Sequence, residues 1–217
     1  MPNLFRMPRP LMLALPLVIA ATPMVAQVPE VPGKADIARV SAGSYTADPL
    51  HSLVGWKVSH FGFNDYFGLF GDVSGTLEID PANPAAAKVA VTIPVSTVVT
   101  ASQQLTGHLL KPAEEGKPAD FFGASPADAT FVSTSVAPNA DGTSARITGD
   151  LTLNGVTKSV TIDATFAGAG TNPFNKAATL GFHGKAVIKR SDFNINYGLP
   201  FVSDEVALDI TAAFEKK

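Results

Sequence analysis

The sequence predicts an all-β protein: an extended antiparallel β-barrel of about eight strands, with one short helix. Three observations lead there. Runs of alternating apolar and polar residues recur along the chain, and a period of two is that of a strand with one buried face. Turn-forming clusters join the runs, and no strand–helix–strand rhythm is present. Glycines interrupt the runs at Gly68, Gly71 and Gly75, where a sheet can bend sharply enough to close on itself. A two-sheet sandwich would satisfy the first two observations; the glycine bends favour the barrel.

The chain opens with Arg6 and Arg9, then an apolar stretch over residues 11–20, then a small-residue exit at Ala26. A positive start, a short apolar run and a small residue at the end make an export signal. The run is too short and too proline-broken for a comfortable membrane span. Residues 1–26 are therefore expected to be a cleaved signal peptide, with an uncleaved anchor as the alternative. The mature protein would be exported, to the periplasm in a Gram-negative cell. Residues 27–43 are rich in Pro, Val and Ala without a period and read as a linker or flexible arm. The folded domain is expected over residues 44–217.

Its first long strand places Val54, Trp56, Val58 and His60 at every second position, so the imidazole falls on the apolar face. The next, over residues 67–79, is expected to put Leu69, Val73, Leu77 and Ile79 on one face. A turn cluster at residues 80–84 leads to Val89, Val91 and Ile93. Residues 100–110 are the one good helix: Thr100 with Gln103 fits a capping box, and Leu105 and Leu109 share a face. A polar loop follows, then Phe121 and Phe122 near the barrel rim. Residues 129–136 form another strand. Asn154-Gly155 between two alternating runs is the clearest hairpin, because both turn residues must take positive φ. Leu180, Phe182, Gly184, Ala186 and Ile188 share a later face, and Val206, Leu208, Ile210, Ala212 and Phe214 share the last.

Composition excludes some functions. The 217 residues carry a net charge of −3 with only 16% charged side chains, which gives no basic face for nucleic acid. The chain has no cysteine, so disulfides, thiolate metal sites and a cysteine nucleophile are ruled out. No Gly-x-Ser-x-Gly elbow is present. The four histidines, His51, His60, His108 and His183, lack the close spacing of metal motifs; His51 reads as a strand-entry cap and His60 as an internal hydrogen-bonding group. Arg190 and Asp192 read as a turn pair, not an acid–base pair.

A set of motifs, taken in order, resembles a known family. They are Tyr45, Asp48-Pro49, His51-Ser52, Trp56 and His60; Gly75-Thr76-Leu77; His108-Leu109 with Asp120-Phe121-Phe122; the run from Gly149 to Lys158; and Arg190-Ser191-Asp192-Phe193 followed by Ser203-Asp204-Glu205-Val206. Together they resemble the YceI-like polyisoprenoid-binding proteins, over essentially residues 45–214. The resemblance implies a lipocalin-like extended barrel of secreted or periplasmic proteins. It further implies an apolar tunnel for an isoprenoid chain, and no catalysis. Two departures stand out: residues 111–119 look like extra loop, and Asn194 stands where the family usually has glycine.

The expected function is thus a periplasmic, non-enzymatic binding protein for a long isoprenoid lipid, polyprenyl or quinone-like, serving transport, storage or sequestration. No cofactor is expected. Transient contact with a membrane or membrane protein, and a homodimer, would be consistent with that role. The alternatives are a stress-related lipocalin-like protein without a fixed lipid, and a metal- or haem-associated redox partner. Val54, Trp56, Val58, His60, Phe67, Leu69, Phe121, Phe122 and Phe182 are the candidate lipid-facing residues; the largest of them cluster near bends and loops where a tunnel would open.

Overall fold

The computed structural model describes residues 30–217, so the expected signal peptide lies outside the described residues. The elements in order are β1 (Gly43–Ala47), β2 (Leu53–His60), β3 (Asn64–Phe70), β4 (Ser74–Ile79), β5 (Lys88–Ile93), α1 (Gln103–Leu109), β6 (Ala129–Pro138), β7 (Ser144–Leu153), β8 (Val156–Thr171), β9 (Ala178–Lys189) and β10 (Glu205–Lys216). All pairings are antiparallel, and from β4 to β10 each strand neighbours the next in sequence.

The sheet closes through β10, which pairs with β9 along one edge and with both β2 and β1 along the other. Ala47 lies opposite Phe214, and after a break Leu53 lies opposite Thr211. β1 and β2 thus form one interrupted strand. β3 and β4 form a second, running along β2 and β1 respectively. With each pair counted once, the ten segments make an eight-stranded closed barrel. Ser52 bridges the first break: its Oγ donates to the Ala213 carbonyl at 3.3 Å and accepts from the Ala213 N–H at 3.1 Å. A side chain thereby satisfies a ladder position that the absent strand residue would have filled.

The second break corrects the expected facing of residues 67–79. Tyr66 and Phe70 point into the barrel, and beyond the break Val73, Leu77 and Ile79 do so. The inward positions therefore step by three between Phe70 and Val73, with Asp72 at φ +54°. A step of three in a period-two pattern reverses the faces. Leu69 and Phe67 are consequently on the outside, 43% and 62% exposed. Gly68 is an inward position that admits no side chain: a Cβ there would lie 2.1 Å from the Trp56 ring, which covers it.

The Asn154-Gly155 hairpin forms as its sequence requires, with φ of +50° and +76°. Asn194 takes φ +61° at the end of the turn over Arg190–Phe193, a left-handed conformation that asparagine tolerates better than most residues. The helix starts later than the capping-box pattern suggests. Ser102, not Thr100, is the N-cap, accepting from the Leu105 N–H at 3.3 Å, while Thr100 Oγ1 donates to the Ser102 carbonyl. The segment read as a flexible arm is strapped down where it is described. Lys34 and Ala169 of β8 exchange two backbone hydrogen bonds of 3.0 and 2.8 Å. The Arg39 guanidinium also donates to the Pro32 and Ala169 carbonyls.

One packed cluster joins Tyr45, Leu77, Ala169, Leu180 and Phe214 near the start of β1 and the end of β10. A second joins Ile188, Phe193, Ile195 and Val206 at the other end, below the loop between β9 and β10.

Candidate functional site

A cavity of about 1320 Å³ runs through the barrel. Its lining extends from Phe61, Tyr197 and Phe201 at one end to Val40, Pro81 and Pro138 at the other. The side chains between are overwhelmingly apolar, since each strand turns its hydrophobic face inward. Small-molecule pockets commonly occupy roughly 300–1,000 Å³, so this space is large and elongated enough for a chain-like guest.

Of the residues singled out from sequence, β2 contributes Val54, Trp56 and Val58 to the wall, β9 contributes Phe182, and the loop after α1 contributes Phe121 and Phe122. Phe67 and Leu69 do not line the cavity, because the phase change described above turns them outward. His60 does line it, but at the mouth. It is exposed, its ring lies edge-on to Phe61 at 4.4 Å, and its backbone bridges to Val202. The inference of a buried imidazole in need of a partner therefore does not hold: at the last position of β2 the inward face already opens to solvent.

Sequence reasoning missed much of the mouth. Leu105 and Leu109 of α1 line the cavity, as do Tyr66, Tyr197 and Phe201. The helix and its following loop are clamped together: the Leu109 carbonyl accepts from the Phe122 N–H at 3.0 Å, and His108 Nε2 meets Asp120 Oδ2 at 2.8 Å. The His108 ring packs edge-on against Phe121 at 5.3 Å and Tyr197 at 5.1 Å. Three segments distant in sequence therefore converge on one imidazole. The helical face of Leu105 and Leu109 was the available signal; Tyr197 and Phe201 sit in a loop without periodicity.

Arg190 organises that loop. The guanidinium is only 5% exposed. It donates to the carbonyls of Ile195, Tyr197, Val202 and Ser203 at 2.7–2.9 Å. Four carbonyl dipoles thus satisfy a buried cation, and burial holds its pKa below the usual arginine value. The expected Arg190–Asp192 turn pair is not what forms. Asp204 instead reaches back to this turn, accepting from the Ser191 N–H at 2.9 Å and Ser191 Oγ at 2.8 Å. The bond from the Ser191 N–H is the main reason its carboxyl lies below the usual carboxylate range.

The remaining histidines lie apart. His51 Nδ1 meets Asp48 Oδ2 at 2.6 Å on the surface, and His183 is exposed on β9. Among the described residues, no three of His, Cys, Asp and Glu gather as metal ligands.

The profile of the YceI-like domain matches residues 45–214. The protein YceI of Escherichia coli is 42% identical over 179 residues, covering 79% of this chain and 88% of that one. The crystal structure of BcnA from Burkholderia cenocepacia is 30% identical, with a TM-score of 0.63, over 77% of this chain and 98% of that one. A polyisoprenoid-binding domain from Saccharophagus degradans shares the fold with a TM-score of 0.56 at 14% identity, over 80% of this chain and 98% of that one.

Proposed function

The chain belongs to the YceI-like family, and from that premise we propose that it is a non-enzymatic binding protein that holds a long isoprenoid chain in its tunnel. The observation that carries the reading is the cavity of about 1320 Å³ walled by apolar side chains. Buried water needs two to four polar partners each, and this wall offers few. An apolar chain needs none: burial yields about 25 cal/mol for each Å² removed from water. A prenyl tail burying several hundred Å² would be held without a covalent bond. The name of the Saccharophagus degradans domain, which shares the barrel, agrees with this guest class.

The head group would sit near the mouth, where His60, Asn64, Tyr66, Thr100, His108 and Tyr197 bring polar groups to the lining of the cavity. Both a polyprenyl derivative and a quinone-like lipid fit that division between an apolar shaft and a polar entrance. Export to the periplasm follows from the leader pattern in residues 1–26, and transport, storage or sequestration of the lipid would take place there. The test is native mass spectrometry of the full chain expressed and purified from a Gram-negative host, with N-terminal sequencing. The expected result is an N-terminus near Gln27 and a co-purified mass matching a prenyl or quinone lipid. A protein that carries no lipid, and takes up none when offered a polyprenyl chain, would overturn the reading.

A further inference from the structure

The apolar lining does not stop at the mouth. Phe61 and Phe201 line the cavity, yet they are 50% and 64% exposed. They stack on each other at 5.8 Å, one from the turn between β2 and β3 and one from the Arg190-braced loop. Tyr197, also half-exposed, and Leu105 continue the rim. Just outside, Phe63 projects from the tip of the turn, 87% exposed, and Phe67 faces outward three residues along β3 from Asn64. The turn itself is fixed by Phe61 at φ +54° and Gly62 at φ +71°. These residues gather an apolar collar around one opening, with Phe67 at its outer edge opposite Lys57, whereas Phe174 lies at the opposite end. A monomer exposes isolated apolar residues freely, but a contiguous patch marks a contact surface.

We propose that this collar docks on a lipid bilayer, with Phe61, Phe63, Phe67 and Phe201 seated in its interface. The inference rests on the lipid-carrier reading, since it supplies a route by which the guest enters. The favoured occupant is a bilayer for two reasons. The collar is continuous with the tunnel wall, so an apolar guest would pass from one apolar phase to the other without crossing water. Its depth also fits: interfacial elements sink about 5–10 Å, and Phe67 lies roughly 10 Å along the strand from Asn64 at about 3.3 Å per residue. Beside Phe67, Lys57 pairs with Asp65 at 2.8 Å, and in the loop after α1 Lys111 and Lys117 pair with Glu114 at 3.0 and 3.1 Å. Docking therefore draws on apolar burial and has no need of anionic lipid.

Co-sedimentation of the full chain with phosphatidylcholine vesicles tests this. The parent should bind with little dependence on salt. Phe63→Ala should weaken partitioning roughly tenfold and the Phe63→Ala/Phe67→Ala pair roughly a hundredfold, the scale set by losing one and two buried aromatic rings. Phe174→Ala should bind as the parent does. Neither Phe63 nor Phe67 lines the cavity, so all variants should retain an added polyprenyl chain by native mass spectrometry and melt with the parent. The proposal is overturned if the parent does not bind vesicles or if the collar variants bind as tightly as the parent. It is equally overturned if sedimentation shows that the collar residues hold together two copies of the chain instead. A parent that retains the polyprenyl chain but does not bind vesicles would count against docking alone; failure of the parent to retain the chain would count against the carrier reading.

Discussion

Leu180 and Trp56 occupy equivalent places in the sequence pattern, each an inward position of an alternating strand, yet their surroundings differ. Leu180 is 2% exposed and packs with Tyr45, Ala169 and Phe214. Trp56 is half-buried and faces the tunnel. In the first region side chains from facing walls of the barrel close over Leu180, although Leu77 and Phe214 of the same cluster still line the cavity; Tyr45 even finds a partner for its hydroxyl, which donates to the Ser41 carbonyl at 2.7 Å. Across the tunnel they stay apart. Facing inward and being buried are thus separate properties: the first is set by strand register, the second by what arrives from the far side.

The largest expected effect lies at Leu180. Leu180→Ala should cost about 2–5 kcal/mol, the range for deleting a buried leucine side chain, measured by denaturant unfolding, and should leave guest retention unchanged. Trp56→Ala should cost less stability, because Trp56 is only partly buried, but should release every long-chain guest more readily through lost contact area. Equal unfolding midpoints and equal guest retention for the two variants would break the comparison.

A smaller effect concerns the loop that frames the mouth. The Asp204 carboxyl titrates lower in the folded protein than in the unfolded chain, chiefly through the Ser191 N–H bond. Its stabilisation is therefore complete above the unfolded value, about 3.9, and is lost as pH falls through the folded one. Stability measured from about pH 6 down to pH 3 should fall less steeply for Asp204→Asn than for the parent; an identical slope would mean that this carboxylate does not brace the loop. The smallest effect belongs to His60. As an exposed rim residue, His60→Leu should shift stability by no more than about 0.5 kcal/mol, and a loss of several times that would place the ring inside.

Much of the barrel was legible because strand register leaves a direct trace. Val54, Trp56 and Val58 line the cavity as their alternation requires, and Asn154-Gly155 turns where its backbone preferences dictate. The tunnel was not legible as such, since Leu180 and Phe182 read alike as inward apolar residues. The facing of Phe67 and Leu69 was lost because alternation was carried across residues 71–73, where Asp72 at φ +54° shifts the phase. The helix start misled because both Thr100 and Ser102 are good capping residues, and the tertiary path of the chain selected Ser102. Arg190 looked like half of a charge pair. Its actual partners are backbone carbonyls up to thirteen residues away, and carbonyls, being present at every residue, leave no mark in a sequence.

The length of β10 has a further consequence. Its twelve residues, Glu205–Lys216, span about 40 Å along the strand at roughly 3.3–3.4 Å each. At the tilt of about 35–45° that closed barrels adopt, they rise about 30 Å along the barrel axis. That is also the hydrocarbon thickness of a typical bilayer. A straight apolar guest threaded end to end would be sheathed over the same distance that a membrane's interior would sheath it, and a longer one would have to fold back or leave its surplus at the mouth. The barrel is in this sense a gauge as well as a container, with its scale set by the number of residues between two turns.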